Sequence, residues 1–403
     1  TSLFKDQYLK ALNEIGAYLS YYKTIDEVNN ESDDEEDEEQ ITKQNKSKKQ
    51  PQHIELNNIF AFIGERGTGK TSCMKSVADM LYQYRKSTNK NGCEKFLKID
   101  PIDPTTFNDN TNLMQVVIGV MFEKFKDKVA NSDNLPNNAD RDTYEKNKQN
   151  LLKAFQDVKE CIKYISNPDL LKCEDDDISQ LAGMASVSKL NDKIGKLADR
   201  YLEFFDKNIL VLQIDDIDLQ TKYAYQMVEE IRKYFMHKNI IVLMAVKMEQ
   251  LAKVIENETA KQYEPLKKLE GITLPEISDM AIRYLLKLIP INHRIYMPTA
   301  EVYVDRGLRY FTSREDELKY EGKTGDENKA LLGDWTSVKY AVTSLIYNKC
   351  RFLFYHSKGV VSPIVPRNLR ELRYLFAMLL EMNDYCRFKK TICDNHYKKC
   401  RQK

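Results

Sequence analysis

Gly64-Glu65-Arg66-Gly67-Thr68-Gly69-Lys70-Thr71 brings three glycines, a lysine and a hydroxyl together in one short stretch. Holding a chain of phosphates needs many backbone N–H groups aimed at one small volume. Gly64, Gly67 and Gly69 allow the turns and the close approach that a Cβ would block. An amphipathic helix follows, so its positive dipole end adds to the cradle. Lys70 is placed to neutralise β- and γ-phosphate oxygens, and the Thr71 hydroxyl to ligate magnesium. The nucleotide-binding set expected from this stretch is Gly64, Glu65, Arg66, Gly67, Thr68, Gly69, Lys70, Thr71 and Ser72.

A second cluster is acidic. The apolar run Ile209 to Ile214 ends in Asp215-Asp216-Ile217-Asp218. Magnesium takes oxygen ligands and keeps several waters, so one carboxylate delivered to a strand end suits it. Asp215 is the expected metal-side carboxylate, beside Thr71. Asp216 is the expected group polarising an attacking water. Asp218 reads equally as a helix cap ahead of a helix expected over Leu219 to Phe235. Lys247 ends the next apolar strand and is read either as a monitor of the γ-phosphate or as an exposed loop lysine. Arg367 and Arg370 open a C-terminal helix, where the dipole disfavours cations. Either is able to reach a bound triphosphate from a second domain.

Strands and helices must alternate to position these groups. Ile59–Ile63, Phe96–Asp100, Ile209–Ile214 and Ile240–Val246 read as buried strands, with a short one near Ile272–Leu274. Between them lie amphipathic helices marked by Met74, Val77, Ala78 and Leu81; by Leu113, Val116, Val117, Val120 and Met121; by Leu190, Ile194, Leu197 and Tyr201; and by Ala224, Met227, Val228 and Ile231. This alternation predicts an α/β fold with a parallel sheet covered on both faces. Residues 1–53 read as a helix over 3–23 and then a solvated acidic and basic insertion, which begins near residue 27. A nucleotide core is expected over 54–278, with a helical insertion near 126–186. A helical lid domain is expected over 279–403, irregular over 290–335.

The charge is nearly balanced at +1, so no global basic field recruits nucleic acid. No apolar run has the roughly 18–20 residues that a membrane span requires, and no signal-peptide pattern is present. Eight cysteines are scattered without a paired framework, which suits a reducing compartment. A cytoplasmic protein without membrane association is expected. The first residue is Thr rather than Met, as in a processed or trimmed chain.

The strings FIGERGTGKTS, KIDPIDPTTF, LVLQIDDIDL and NIIVLMAVKMEQL together resemble the additional-strand P-loop NTPases. Within these the chain is most similar to the KAP and STAND groups, and more distantly to origin-recognition-type AAA+ proteins. ITLPEISD and VPRNLRELRYLF fall where such proteins place the last core strand and a sensor-2-like helix. The resemblance covers about residues 54–280, and more loosely 281–385. It implies ATP and Mg2+ as cofactors, Lys70 and Thr71 as phosphate and magnesium contacts, and Asp215 as the metal carboxylate. It also implies Asp216 as the catalytic acid, Lys247 as sensor 1 and Arg367 as sensor 2. The catalytic position is Asp where AAA+ enzymes usually have Glu, which implies slow or partner-stimulated turnover. No arginine finger is assigned, although Arg294, Arg306, Arg309 and Arg314 are available.

The resemblance further implies a molecular switch or oligomerising ATPase of a signalling or anti-phage defence system, with a second copy or an effector protein as partner. The alternatives are a DNA-handling loader ATPase and a non-hydrolysing nucleotide-binding scaffold. No Asn/Thr-Lys-x-Asp string follows Ile240–Val246, which favours ATP over GTP. Cys386, Cys393, His396 and Cys400 match no usual zinc spacing. The basic tail from Lys389 to Lys403 reads as a solvated face or a nucleic-acid contact.

Overall fold

Uninterrupted apolar runs build the centre of the structure. The computed structural model describes residues 4–33, 57–83, 95–107, 112–131, 138–166, 189–220, 222–265, 271–299, 302, 337–353, 365–366 and 368–381. They divide into two units. One comprises Lys5–Ile63 and Lys70–Tyr296; the other comprises Thr1–Phe4, Gly64–Gly69 and Met297–Lys403.

The first unit is α/β. Its elements in chain order are α1 (Lys5–Asp33), β1 (Ile59–Ile63), α2 (Lys70–Gln83), β2 (Phe96–Lys98), α3 (Leu113–Ala130) and α4 (Asn138–Ser166). Then follow α5 (Leu190–Phe205), β3 (Ile209–Asp215), α6 (Ala224–Tyr234), β4 (Ile240–Val246), α7 (Met248–Gln262), α8 (Leu274–Leu288) and β5 (Arg294–Tyr296). The five strands form one sheet in the order β2-β3-β4-β1-β5, and every pairing is parallel. All of β1 and β4 is buried, and β3 is buried up to Asp215. That is the pattern of strands covered on both faces. Gln213 is the buried polar residue of β3: its side-chain amide donates to Ile99 O at 2.7 Å, while Oε1 has no hydrogen-bond partner among the described residues.

Helical faces expected from the sequence are the buried ones. Met74, Val77, Ala78 and Leu81 of α2 are buried, and Ile194, Leu197 and Tyr201 of α5 enter a core with the strands. The register Asp215↔Ala245 and Ile63↔Val246 aligns the C-terminal ends of β3, β4 and β1. Ligands of open parallel sheets bind at that edge. The order also places β4, which ends at Val246 just before Lys247, directly between β3 and β1.

Four expectations need correction. No strand forms near Ile272–Leu274. Thr273 caps α8 there, its hydroxyl and the Glu276 carboxylate exchanging bonds with the backbone, and Pro275 sits in the first turn. This capping box outweighs the local β propensity. The last strand is instead β5, inside a stretch that reads as irregular; its Ile295 is buried and pairs with Phe62. The helix expected over Leu219 to Phe235 begins only at Ala224, after a 3-10 turn over Ile217–Leu219. Finally, α1 continues to Asp33, into residues expected to be an unstructured insertion. Among its expected apolar positions, Ile15 and Leu19 are buried, whereas Leu9 is half exposed.

The second unit contains α9 (Val338–Cys350) and α10 (Leu369–Glu381). Val338, Ala341, Val342, Leu345 and Ile346 of α9 pack with Leu372, Phe376 and Leu379 of α10 in a separate apolar core. Ser337 caps α9 by accepting from Tyr340 N. Among the described residues, no helix is long and apolar enough to cross a membrane.

Candidate functional site

Within the second unit, the glycine loop is shaped by two left-handed residues, Gly67 at φ +85° and Gly69 at φ +91°. Glycine alone adopts these angles without a steric penalty. The Thr68 N–H and hydroxyl both donate to Glu65 O, at 3.3 and 2.8 Å, closing the turn. Glu65 and Arg66 project into solvent at its apex, whereas Thr68 is buried.

The start of α10 lies against this loop. The Arg370 N–H donates to Gly67 O at 3.2 Å. A Cβ on Gly67 would stand 2.7 Å from Asn368 Oδ1 and 3.1 Å from Arg370 Cβ. Asn368 Oδ1 also accepts from Glu371 N at 2.9 Å, which caps the helix. A Cβ on Gly69 would meet the Phe4 ring at 2.6 Å, and one on Gly64 would meet Met297 Cβ at 2.9 Å. Of the two arginines expected to sense a nucleotide, Arg370 therefore meets the loop through its backbone. Arg367 lies outside the described residues, as do Arg306, Arg309, Arg314, the C-terminal cysteines and the basic tail. Asn368, Phe4 and Met297 were not expected at the loop. The Asn-x-x-Glu spacing of Asn368 and Glu371 was a readable capping signal; nothing in the sequence pointed to Phe4 or Met297.

Within the α/β unit, α2 opens on the continuation of the same peptide, Lys70-Thr71-Ser72. Lys70 is buried, Thr71 half-buried and Ser72 exposed. The Thr71 hydroxyl donates to Asp215 Oδ1 at 2.9 Å, joining the first turn of α2 to the end of β3. Burial raises the Asp215 carboxyl above the usual carboxylate range; the Thr71 bond opposes the shift, while Asp216 and Asp103 reinforce it. Asp103 is a carboxylate that sequence reasoning left out. It caps the 3-10 turn Pro104–Thr106 by accepting from Thr105 N.

Asp216 adopts the left-handed region at φ 47°, ψ 34°. A non-glycine residue there costs on the order of 1–2 kcal/mol. Its N–H donates to Ala245 O at 3.1 Å and its carbonyl accepts from Leu219 N at 3.0 Å. The chain thus turns sharply at Asp216, between the two other carboxylates of the cluster.

Asp218 is not the helix cap that its position suggested. It lies inside the 3-10 turn, and α6 has Tyr223 at its N-cap. Its side chain is only 3% exposed, and Oδ1 has no hydrogen-bond partner among the described residues. Burial raises its carboxyl above the ordinary range, opposed by the Lys247 backbone N–H, its own N–H and the charge of Lys70. Lys247 therefore contributes a backbone donor to the acidic cluster, and it occupies the N-cap position of α7 without a side-chain cap. Arg294, one of the arginine-finger candidates, is committed elsewhere: Nε and Nη2 donate to Ile289 O and Leu285 O at the end of α8.

Four carboxylates thus gather at the C-terminal edge of the sheet, with Lys70 on one side and the Thr71 hydroxyl on another. Among the described residues, no group of three or more His, Cys, Asp or Glu side chains is placed to hold a metal ion by itself. No protein-family model matches the chain, and no curated protein matches it significantly.

Proposed function

We propose that the protein binds a magnesium–nucleoside triphosphate, ATP by preference, and hydrolyses it slowly as a conformational switch. The observation that carries this reading is the bond from Thr71 to Asp215. It couples the residue after the lysine of a glycine loop to the carboxylate ending the second strand over in a parallel sheet. The strand order supports the additional-strand type of P-loop NTPase, since β4 lies between β1 and β3.

The residues fit the ligand. Gly67 and Gly69 hold a backbone conformation that turns successive N–H groups to one side. Buried Lys70 provides a charge for the β- and γ-phosphates. Thr71 and Asp215 are the magnesium-side pair. Bound magnesium would neutralise phosphate charge and polarise the scissile bond. Asp216, held off the strand axis by its left-handed backbone, orients and deprotonates the attacking water. Asp218 holds the Lys70 charge in register, and Lys247 reports on that carboxylate through its backbone N–H. Asn368 and Arg370 carry the state of the loop into α10. The resemblance in the sequence places such a switch in signalling or defence, acting with further copies or an effector protein.

The test is steady-state hydrolysis and magnesium-dependent ATP binding measured together. Asp216→Asn is expected to retain binding while losing on the order of 100-fold in turnover. Equal turnover in that variant would remove Asp216 from the chemistry. An ATPase rate stimulated by DNA would favour a loader over a switch.

A further inference from the structure

Outside this edge, one nucleophilic pair is held at reacting distance by two helices. Leu151, Phe155, Val158 and Cys161 form the buried face of α4 and pack in one core with Leu190, Ile194, Leu197 and Tyr201 of α5. Phe155 meets Tyr201 edge to face. At the end of this seam, Lys193 Nζ lies 3.1 Å from Cys161 Sγ and donates to it. The Cys161 thiol in turn donates to Asp157 O at 3.3 Å. The sulfur is fully buried and in no disulfide, whereas the lysine is half-buried.

We infer that Cys161 and Lys193 form an oxidation-dependent covalent bridge, Sγ–O–Nζ, that ties α4 to α5 under peroxide. Sulfur attacks one hydrogen peroxide: an S–O bond forms, the O–O bond breaks, and the departing hydroxide takes the thiol proton, giving a sulfenic acid and water. The free-base Lys193 amine attacks a second peroxide: an N–O bond forms, and hydroxide leaves with one amine hydrogen as water, giving a hydroxylamine. The hydroxylamine oxygen then displaces hydroxide from the sulfenyl sulfur and gives up its own proton to it. Sulfur and nitrogen each lose two electrons, two peroxides are consumed and three waters form. A single oxygen spans most of the existing 3.1 Å gap, whereas a direct S–N bond would draw the two helix backbones closer together.

The inference does not rest on the proposed nucleotide chemistry. Its test is peptide mass mapping of the full-length protein after hydrogen peroxide, with and without subsequent dithiothreitol. The expected product joins the Cys161 and Lys193 peptides with the gain of one oxygen and the loss of two hydrogens, and dithiothreitol releases it. Lys193→Arg keeps the charge and the helix, and is expected to lose the crosslink while Cys161 advances to the sulfinic acid. Three results would overturn the bridge: a joined species lacking the added oxygen, a crosslink that persists in Lys193→Arg, or uncrosslinked sulfinic Cys161 in the unsubstituted protein. Matching thermal melts of the two unoxidised proteins establish that the variant is folded.

Discussion

The two ends of the parallel sheet satisfy their polar groups in opposite ways. At the N-terminal ends of the strands, Asn57 donates to Lys287 O and accepts from Ile59 N, which fixes the end of α8 to the start of β1. Its neighbour Asn58 donates to Phe235 O and Ile240 O, tying the exit of α6 to the start of β4. Both side chains are buried and each bridges backbone groups of two elements, although Asn58 Oδ1 has no hydrogen-bond partner among the described residues. At the C-terminal ends, a strained Asp216, an unpartnered Asp218 oxygen and two carboxyls of raised pKa accumulate within a few residues. The N-terminal edge carries a left-handed residue and an unpartnered oxygen too, Asp206 at φ 52° and Asn58 Oδ1; what sets the C-terminal edge apart is the buried carboxyls of raised pKa, the mark of a candidate ligand site.

The sharpest way to break this contrast is to exchange effects between the edges. Asn57→Ala removes bonds to three backbone groups, two of them buried. It is expected to cost about 3 kcal/mol of stability, read from the denaturant midpoint, at about 1 kcal/mol per bond. Magnesium–ATP affinity should be unchanged, because the substitution lies at the opposite edge. Lys70→Ala should show the reverse. Its affinity is expected to fall by on the order of 100-fold, about 2.7 kcal/mol, with the melting temperature of the ligand-free protein close to that of the original.

Gly67→Ala gives a smaller effect. It places a Cβ at φ +85° and 2.7 Å from Asn368 Oδ1. A left-handed penalty of roughly 1–2 kcal/mol is expected, visible as weaker nucleotide binding and a looser α10 in hydrogen exchange. Unchanged exchange across α10 would disconnect the loop from that helix.

Asp218→Asn has the smallest effect and a distinctive sign. The folded-state pKa values of Asp215 and Asp218 lie above the ordinary 3.8. Between that value and the raised ones the folded state binds more protons than the unfolded state. Stability without nucleotide is therefore fullest below 3.8 and falls as pH rises through the raised values. Asp218→Asn removes one of the two contributions, so it flattens the curve and stabilises the ligand-free protein at neutral pH. A variant less stable than the original at neutral pH would show that the charge of Asp218 is compensated in the folded state.

Much of the C-terminal edge was legible because its elements are local. Ile59–Ile63 and Ile240–Val246 are apolar runs of strand length, and both coincide with the observed strands. The glycines and the lysine stand in one continuous motif, and the bond from Thr71 to Asp215 joins two residues that the sequence already set side by side. What could not be read depended on contacts distant in sequence. β5 is only three residues long, and its pairing with β1 spans more than half the chain. Asp218 looked like a cap because the 3-10 turn at Ile217–Leu219 and the delayed start of α6 are tertiary outcomes. In the same way, Ile272–Leu274 has strand-like residues, yet the Thr273–Glu276 box starts a helix there.

The most direct test of the account is calorimetric titration of ATP, with and without magnesium, into the original protein and into Lys70→Ala. The account predicts saturable, magnesium-dependent binding to the original and a loss on the order of 100-fold in the variant. Equal affinity in the two proteins, or no binding to the original, would contradict it.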